Sequence, residues 1–223
     1  YGSFPPEQAC SRAKEAALRA LDLDGRLADA HTALGHVALF YEWDWEAADR
    51  ELRRALELNP GDSEAHLRSA TLLAIEGRME EAIERAKVAL ALNPLSLWHG
   101  DMLASVYWSA GRHDEAIEQC RRTLELDPQR SWTLTWLGKA YIGKGAYDEG
   151  ITHLEKAVAL SKGDPFPMQE LACAYATAGR RDEARKLLGR LSEPTRVAQV
   201  HAALGEKDEA FAALEKAFEI HAG

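Results

Sequence analysis

The chain has 223 residues and a formal net charge of −9, from 27 Lys and Arg against 36 Asp and Glu. This acidic balance disfavours the basic surface of a nucleic-acid binder, and it disfavours docking on an anionic membrane. Hydrophobic residues make up 46% of the sequence, but no apolar run approaches the roughly 18 residues of a membrane span.

The first predicted element is one helix at Glu7–Leu23, which Gly25 follows in a helix-ending position. Alanines are predicted on its packing faces, at Ala9, Ala13, Ala16, Ala17 and Ala20. Ala13 precedes Ala48 by 35 residues, and Ala48 belongs to the second helix of a later pair. We therefore predict residues 1–27 to be a second helix without its first.

Residues 28–62 are predicted to form the first complete helix pair. Its turn, Tyr41–Trp45, is one residue longer than the later turns and has no glycine. Trp45 falls in the column of Tyr147 and is predicted to lie in the core. Trp43 is the additional aromatic residue, and the pattern assigns it no place.

Three regular repeats follow, at residues 63–96, 97–130 and 131–164. Several columns recur every 34 residues: the turn glycines Gly77, Gly111, Gly145 and Gly179; the small residues Ala82, Ala116, Gly150 and Ala184; a second small column at Ala55, Ala89, Thr123 and Ala157; and the closing prolines Pro60, Pro94 and Pro128. Small residues let two helices approach closely, so these columns predict helix crossings.

A fifth repeat occupies residues 165–191, after which the period shortens. Gly179 and Gly205 are 26 residues apart, which indicates a deletion of eight residues around 189–195. The last unit, 192–223, is predicted to hold short helices near Pro194–Leu204 and Lys207–Ile220. The whole pattern amounts to thirteen helices.

A 34-residue helix–turn–helix period over nearly the whole chain resembles the tetratricopeptide-repeat family. The resemblance implies one all-α domain over residues 1–223, a right-handed superhelical solenoid of tetratricopeptide helix–turn–helix repeats. The turn at 41–45 and the ending Leu204–Phe211 also resemble the C-terminal arrays of bacterial multidomain regulators: winged-helix regulators, adenylate cyclases and Ser/Thr kinases. That resemblance implies a sensing or docking module of a signalling protein.

Motifs for chemistry are weak. Gly138, Gly143 and Lys144 match part of a phosphate-binding loop, but Gly145 stands where Ser or Thr must bind magnesium. The acidic pairs 114–115, 148–149, 182–183 and 208–209 open second helices, where they meet the positive end of the helix dipole. The three cysteines lack metal or redox spacing, and His31 and His66 fall in packing columns. We predict no enzyme, no catalytic residue, no metal and no cofactor.

The candidate binding surface is the wall that first helices line in tetratricopeptide arrays. Trp98, Trp132 and Phe166 fall in one column, 34 residues apart. The predicted ligand-groove residues are Trp98, Asp101, Ser105, Trp108, Trp132, Thr135, Trp136, Lys139, Phe166 and Gln169. In an alternative interpretation, the aromatics only staple helix N-termini to the preceding loops. The Lys and Asn pattern of the chaperone-tail clamp is missing, so that ligand is disfavoured.

The expected function is a protein-interaction module that binds a peptide or helix in a concave aromatic-lined groove. We expect no nucleic-acid binding by this segment and no membrane insertion. Alternatives are an oligomerisation or spacer element and a small-molecule sensor. The apolar edge at Phe211, Leu214 and Phe218 is predicted to meet solvent, a second copy in a homodimer, or a flanking segment. In an alternative interpretation, the shortened last pair is itself the cap of the array. A cytoplasmic location is favoured, and an extracytoplasmic one would require a membrane span in the parent protein.

Overall fold

The computed structural model describes the backbone of residues 6–222 and the side chains of residues 8–219. All regular structure in this range is helical, and no strand occurs within it. The chain divides into two compact units between Ala110 and Gly111. This boundary lies inside the repeat of residues 97–130, and one continuous domain over 1–223 stays a prediction.

The predicted thirteen α-helices are confirmed within residues 6–222. The first unit contains α1 (Pro6–Leu23), α2 (Ala28–Val37), α3 (Trp45–Leu58), α4 (Ser63–Ile75), α5 (Met79–Leu92) and α6 (Leu97–Ser109). The second contains α7 (His113–Leu126), α8 (Ser131–Gly143), α9 (Tyr147–Leu160), α10 (Pro165–Thr177), α11 (Arg181–Leu188), α12 (Pro194–Leu204) and α13 (Lys207–Ala222).

Helices within each unit pack as pairs, and α4, α6, α10 and α12 each pack on both helices of the preceding pair. In the first unit α2 packs on α3 and α4 on α5, while α2, α4 and α6 contact one another in sequence. In the second unit α8 packs on α9, α10 on α11 and α12 on α13, while α10 contacts both α8 and α12. Each unit therefore presents a row of neighbouring first helices.

The small-residue columns are buried, as the repeat predicts. Ala48, Ala82, Ala116 and Ala184 have no exposed surface, and Gly150 is buried in the same column. The fourth repeat has a glycine on each helix of its pair, and Gly138 of α8 faces Gly150 of α9. A Cβ atom on Gly138 would lie 2.8 Å from the carbonyl oxygen of Gly150, so this crossing admits no side chain.

The turn glycines also have the predicted role. Gly77, Gly111, Gly145 and Gly179 adopt φ angles of 79°, 72°, 79° and 78°. This left-handed conformation ends a helix and is readily adopted only by glycine. In three of these turns the next amide bonds back to the carbonyl five residues earlier, for example from Arg78 to Leu73 at 2.8 Å.

The first-repeat turn departs from the prediction for Trp45. Its side chain is 48% exposed, so its assignment to the core was wrong. Trp45 is the first residue of α3 and lies beyond the buried stripe of that helix; Tyr147, at the same place in α9, is also exposed. Residues Ala38–Glu42 form a π-helical turn, and Trp43 follows in the left-handed conformation.

The helices near the two ends of the array differ from the regular repeats in burial or in length. In α1, Ala17 is buried, but Ala9, Ala13 and Ala16 are exposed, because no helix among the described residues covers that face. The predicted deletion is confirmed by α11, which has 8 residues where α9 has 14. On α13, Phe211, Leu214 and Phe218 are 66%, 47% and 75% exposed.

Candidate functional site

The second unit brings five side chains from α8 and α10 together, and we call them the aromatic–lysine cluster: Trp132, Trp136, Lys139, Phe166 and Glu170. The three α8 residues are spaced i, i+4 and i+7, which places them on one face of the helix. Each of the three rings is half-buried. The cluster therefore combines ring packing with partly exposed aromatic surface.

Phe166 is the centre of the ring contacts. Its ring centroid lies 4.8 Å from that of Trp132 and 5.8 Å from that of Trp136, with tilted planes at 37° and 53°. Tilted arrangements at these distances suit the quadrupoles of aromatic rings. The contacts hold α8 and α10 together and fix the orientation of the rings.

Lys139 places a positive charge over the same rings. Its ammonium nitrogen lies 4.6 Å from the Trp136 ring centroid and 5.7 Å from that of Phe166. Cation–π contacts of this kind contribute about 0.5–2 kcal/mol each. The nitrogen also forms a 3.0 Å ion pair with Glu170, and both side chains are only 13% exposed. This shielding from water fixes the ammonium in place.

Asp164 sets the direction of the Trp132 indole. One carboxylate oxygen accepts the Phe166 backbone N–H at 2.9 Å and so caps α10. The other oxygen accepts the Trp132 indole N–H at 2.9 Å. One side chain thus begins α10 and anchors an aromatic residue of α8.

A polar network continues from α10 to α12. The side-chain amide of Gln169 donates to Glu170 at 3.2 Å and to Gln199, while its oxygen accepts from Arg196 at 2.8 Å. Gln169 itself is only 4% exposed. Its hydrogen bonds therefore link the helices and position Glu170.

Cys173 lies one turn further along α10 and is half-buried. Burial, with the charge of Glu170, raises the pKa of its thiol to about 12. The thiol is therefore protonated at neutral pH, and a protonated thiol is a poor nucleophile.

The structure narrows the ten predicted groove residues to those with accessible surface. Asp101 and Thr135 have no exposed surface, Ser105 is 8% exposed and Gln169 is buried as described above. The hydroxyls of Ser105 and Thr135 donate to carbonyl oxygens of their own helices, those of Met102 and Ser131. These four residues support the helices from within, while Trp132, Trp136, Lys139 and Phe166 form the cluster.

In the first unit, the predicted residues Trp98 and Trp108 lie on α6 and are half-buried. A separate polar group joins α2, α4 and α6. Arg68 pairs with Glu64 at 3.0 Å and lies 5.7 Å from the centre of the Phe40 ring, while His36 contacts Phe40 at 4.9 Å. His99 Nε2 on α6 lies 3.9 Å from Glu64 Oε1.

The two histidines of this group are held neutral. Burial is the largest cause that lowers the pKa of His36, and the charge of Arg68 adds to it. Burial also lowers the pKa of His99, against the charge of Glu64. At neutral pH, Arg68 therefore carries the positive charge that faces Glu64.

Sequence reasoning missed Arg68 and Glu170. Glu170 falls in the column of Trp136, 34 residues later, so the register alone could have placed it beside Lys139 on the neighbouring first helix. Arg68 follows Glu64 by one helical turn, a spacing at which opposite charges pair. Both signals are present in the sequence, but they are common on ordinary helix surfaces.

Within the described part of the chain, no group of three or more His, Cys, Asp or Glu side chains is arranged to hold a metal ion. None of the helices in that part is long and apolar enough to cross a membrane.

Helix pairs with small crossing residues, glycine turns and stacked first helices define a helical repeat protein. Family models described as tetratricopeptide repeat match residues 37–96 and 102–165, residues 141–207, and residues 195–221. One of these models alone matches more than half of the chain. The chain belongs to the tetratricopeptide-repeat family.

Solved structures with the same fold are distant in sequence. A chain of the APC/C hetero-tetramer Cut9–Hcn1 has a TM-score of 0.74 at 21% identity over 95% of this chain. A tetratricopeptide repeat protein from Parabacteroides merdae has a TM-score of 0.74 at 16% identity, covering 96% of this chain and 87% of its own. YrrB, described as having an unusual peptide-binding site, has a TM-score of 0.56 at 17% identity, covering 91% and 99%.

The match to the APC/C chain spans only 43% of that protein's length. Comparison with curated proteins gives no significant match. At these identities the structural likeness establishes the fold, and the fold supports a role in protein–protein interaction.

Proposed function

We propose that this chain is a non-enzymatic module that binds a peptide or helix along the first helices of its second unit, with the aromatic–lysine cluster as the anchoring point. The main support for this proposal is a group of three partly exposed rings, in which Phe166 contacts both tryptophans. These rings lie beside the Lys139–Glu170 ion pair. Aromatic residues are common interface anchors, because they offer a large contact area for few rotatable bonds. The proposal gives Trp98 and Trp108 the same role in the first unit.

Two further observations support this assignment. YrrB, which shares the fold, is described as having a peptide-binding site. The turn at residues 41–45 and the ending at 204–211 resemble arrays of bacterial regulators, which supports a place in a signalling protein. Cys10, Cys120 and Cys173 are not joined in disulfide bonds, which suits a reducing compartment, so we assign the module to the cytoplasm.

The test is selection of short peptides from a displayed library, followed by titration of a selected peptide. Trp132→Ala and Phe166→Ala should each weaken binding by about 2 kcal/mol or more if these rings are hot spots. Tyr147→Ala is the matched control, because Tyr147 is a partly exposed aromatic residue on a second helix. Equal affinity for wild type, Trp132→Ala and Phe166→Ala would refute the groove.

A second candidate role is self-association through α13. Phe211 and Phe218 expose 66% and 75% of their surface on that helix, and exposed apolar patches often mark interaction sites. This role would make the chain an oligomerisation element, and it needs no ligand in the groove.

A further inference from the structure

The turn of the first repeat exposes a group of aromatic side chains that the groove does not use. Tyr41, Trp43 and Trp45 are 44%, 73% and 48% exposed. Isolated exposed apolar residues are ordinary, but a contiguous group of large ones often marks an interaction site. We call residues 41–46 the aromatic–acidic turn.

The backbone of this turn holds Trp43 in a strained conformation. Trp43 adopts φ 53° and ψ 28°, the left-handed conformation that glycines adopt in the later turns. A bulky residue in this conformation is strained, and glycine would adopt it at lower free energy. The strain is retained in a residue whose side chain is mostly in water, so packing of the indole does not explain it.

The turn of the first repeat has one residue more than the later turns, and the preceding helix accommodates it by a change of backbone geometry. Residues Ala38–Glu42 widen into a π-helical turn, and the amide of Asp44 bonds back six residues to the carbonyl of Ala38 at 3.0 Å. Three of the later turns make the corresponding bond over five residues, as from Arg180 to Tyr175. Such π-helical insertions are frequent at functional sites.

Contacts with α1 and α3 hold the turn in one arrangement. Glu42 pairs with Lys14 of α1, and the neighbouring thiol of Cys10 on the same helix raises the pKa of the Tyr41 hydroxyl. On the other side, Asp44 accepts the Ala47 amide at 2.9 Å and caps α3. The aromatic side chains therefore project from a braced turn.

The charges of the turn indicate what it can bind. Aromatic and acidic residues alternate along it, with Glu42, Asp44 and Glu46 between and after the rings, and all three acidic residues are exposed. An aromatic face attracts cations through its quadrupole, and a neighbouring carboxylate adds Coulomb attraction. The pairing of Lys14 with Glu42 shows that the edge of the turn accommodates an ammonium group.

We propose that the aromatic–acidic turn is a second docking surface, which binds a basic peptide segment through Lys or Arg side chains stacked on Trp43 and Trp45. The three carboxylates and the net charge of −9 oppose anionic lipid and nucleic acid, so a cationic protein segment is the favoured partner. The surface shares no residue with the aromatic–lysine cluster and does not depend on the groove.

The test uses the full chain and a fluorescein-labelled peptide of alternating arginine and glycine, read by fluorescence anisotropy. A peptide with glutamate in place of arginine is the charge control. The wild type should bind the arginine peptide and not the glutamate peptide, with affinity that falls as salt rises, because exposed charges are screened.

Trp43→Gly separates binding from folding. It should weaken peptide binding by about tenfold or more, as for an aromatic anchor, and should raise the melting temperature by about 2–4 °C through relief of the strained φ angle. Trp43→Asn is the second variant, because asparagine tolerates the left-handed conformation; it should keep the helical circular dichroism and lose binding. Leu95→Ala, which alters an exposed apolar residue outside the turn, should leave binding unchanged.

A charge pair of variants distinguishes local recognition from general attraction to an acidic protein. Glu46→Lys should weaken binding much more than Glu125→Lys, although both change the net charge equally. Equal effects of these two variants would overturn the proposal, as would unchanged binding by Trp43→Gly and Trp43→Asn. Trp43-dependent binding to phosphatidylcholine vesicles without binding to the arginine peptide would also overturn it, in favour of a membrane surface.

Discussion

At the scale of single residues, the contact between α8 and α9 depends on two facing glycines. A Cβ atom on Gly138 would lie 2.6 Å from Leu154 Cγ and 2.8 Å from the Gly150 carbonyl oxygen. The leucine side chain can rotate, but the carbonyl belongs to the helix backbone and cannot move alone. The repeats at residues 63–96, 97–130 and 165–191 have alanine in both columns, and the first repeat has Gly35 opposite Ala48. The pair α8 and α9 therefore combines two glycines at its crossing.

We therefore expect Gly138→Ala to destabilise the protein by about 1–3 kcal/mol, because overpacking forces the two helices apart. Urea unfolding followed by circular dichroism measures the change. Gly61→Ala is the control: a Cβ there would meet only the Asn59 side-chain oxygen at 3.4 Å, and its effect should stay within about 0.5 kcal/mol. Equal stability of Gly138→Ala and wild type would contradict the close crossing.

At the scale of helices, caps connect neighbouring first helices. Asp164 caps α10 while it accepts the Trp132 indole N–H from α8. Asp62 does the same in the first unit, because it caps α4 through the amides of Glu64 and Ala65 and accepts the hydroxyl of Thr32 on α2. Helix initiation and the stacking of successive pairs are thus coupled through single carboxylates.

Two substitutions of Asp164 separate its two roles. Asp164→Ala removes both hydrogen bonds and should cost about 1–2 kcal/mol of stability. Asp164→Asn keeps one oxygen for the Phe166 amide but leaves an NH₂ group that cannot accept from Trp132. It should therefore keep most of the stability and still weaken a groove-binding peptide. Thermal unfolding and peptide titration measure the two effects.

Asp62→Ala is the control for this comparison, since it removes a cap outside the aromatic–lysine cluster. It should lower stability without changing the affinity of a peptide that binds the cluster. Peptide binding by Asp164→Asn equal to that of wild type would show that the Trp132 anchor does not matter for the groove.

For the whole molecule, the exposed apolar face of α13 bears on the oligomeric state, because such a face favours self-association. Self-association through this face predicts a mass by light scattering that rises towards a dimer as protein concentration increases. A stable dimer should bury at least about 1,000 Å² in total, and Phe218→Glu should restore the monomer because it places a charge in the contact. Leu23→Glu is the control, because Leu23 is an exposed apolar residue at the end of α1. A constant monomer mass of the wild type would exclude this role.

Local and periodic signals in the sequence are sufficient to predict the helices, their turns and their crossings. The thirteen helices within residues 6–222, the turn glycines and the small columns could be predicted because each depends on local or periodic signals. Glycines that adopt a positive φ in the turns recur at a fixed interval, and so do alanines that fit the helix crossings. The fixed interval shows which glycines and alanines have these structural roles. The shortened α11 was predictable for the same reason, as a break in that interval.

Which side chains meet and which stay in water depends on how the helices pack in three dimensions. Trp45 was placed in the core by its column, but the end of a helix extends past the packed stripe. The Lys139–Glu170 pair and the Asp164–Trp132 bond join residues about 30 positions apart, through rotamers that the neighbouring helix selects. The periodic pattern shows that the first turn has one additional residue, but it does not show the backbone geometry of that insertion. The π-helical turn before Trp43 depends on the packing of the surrounding helices.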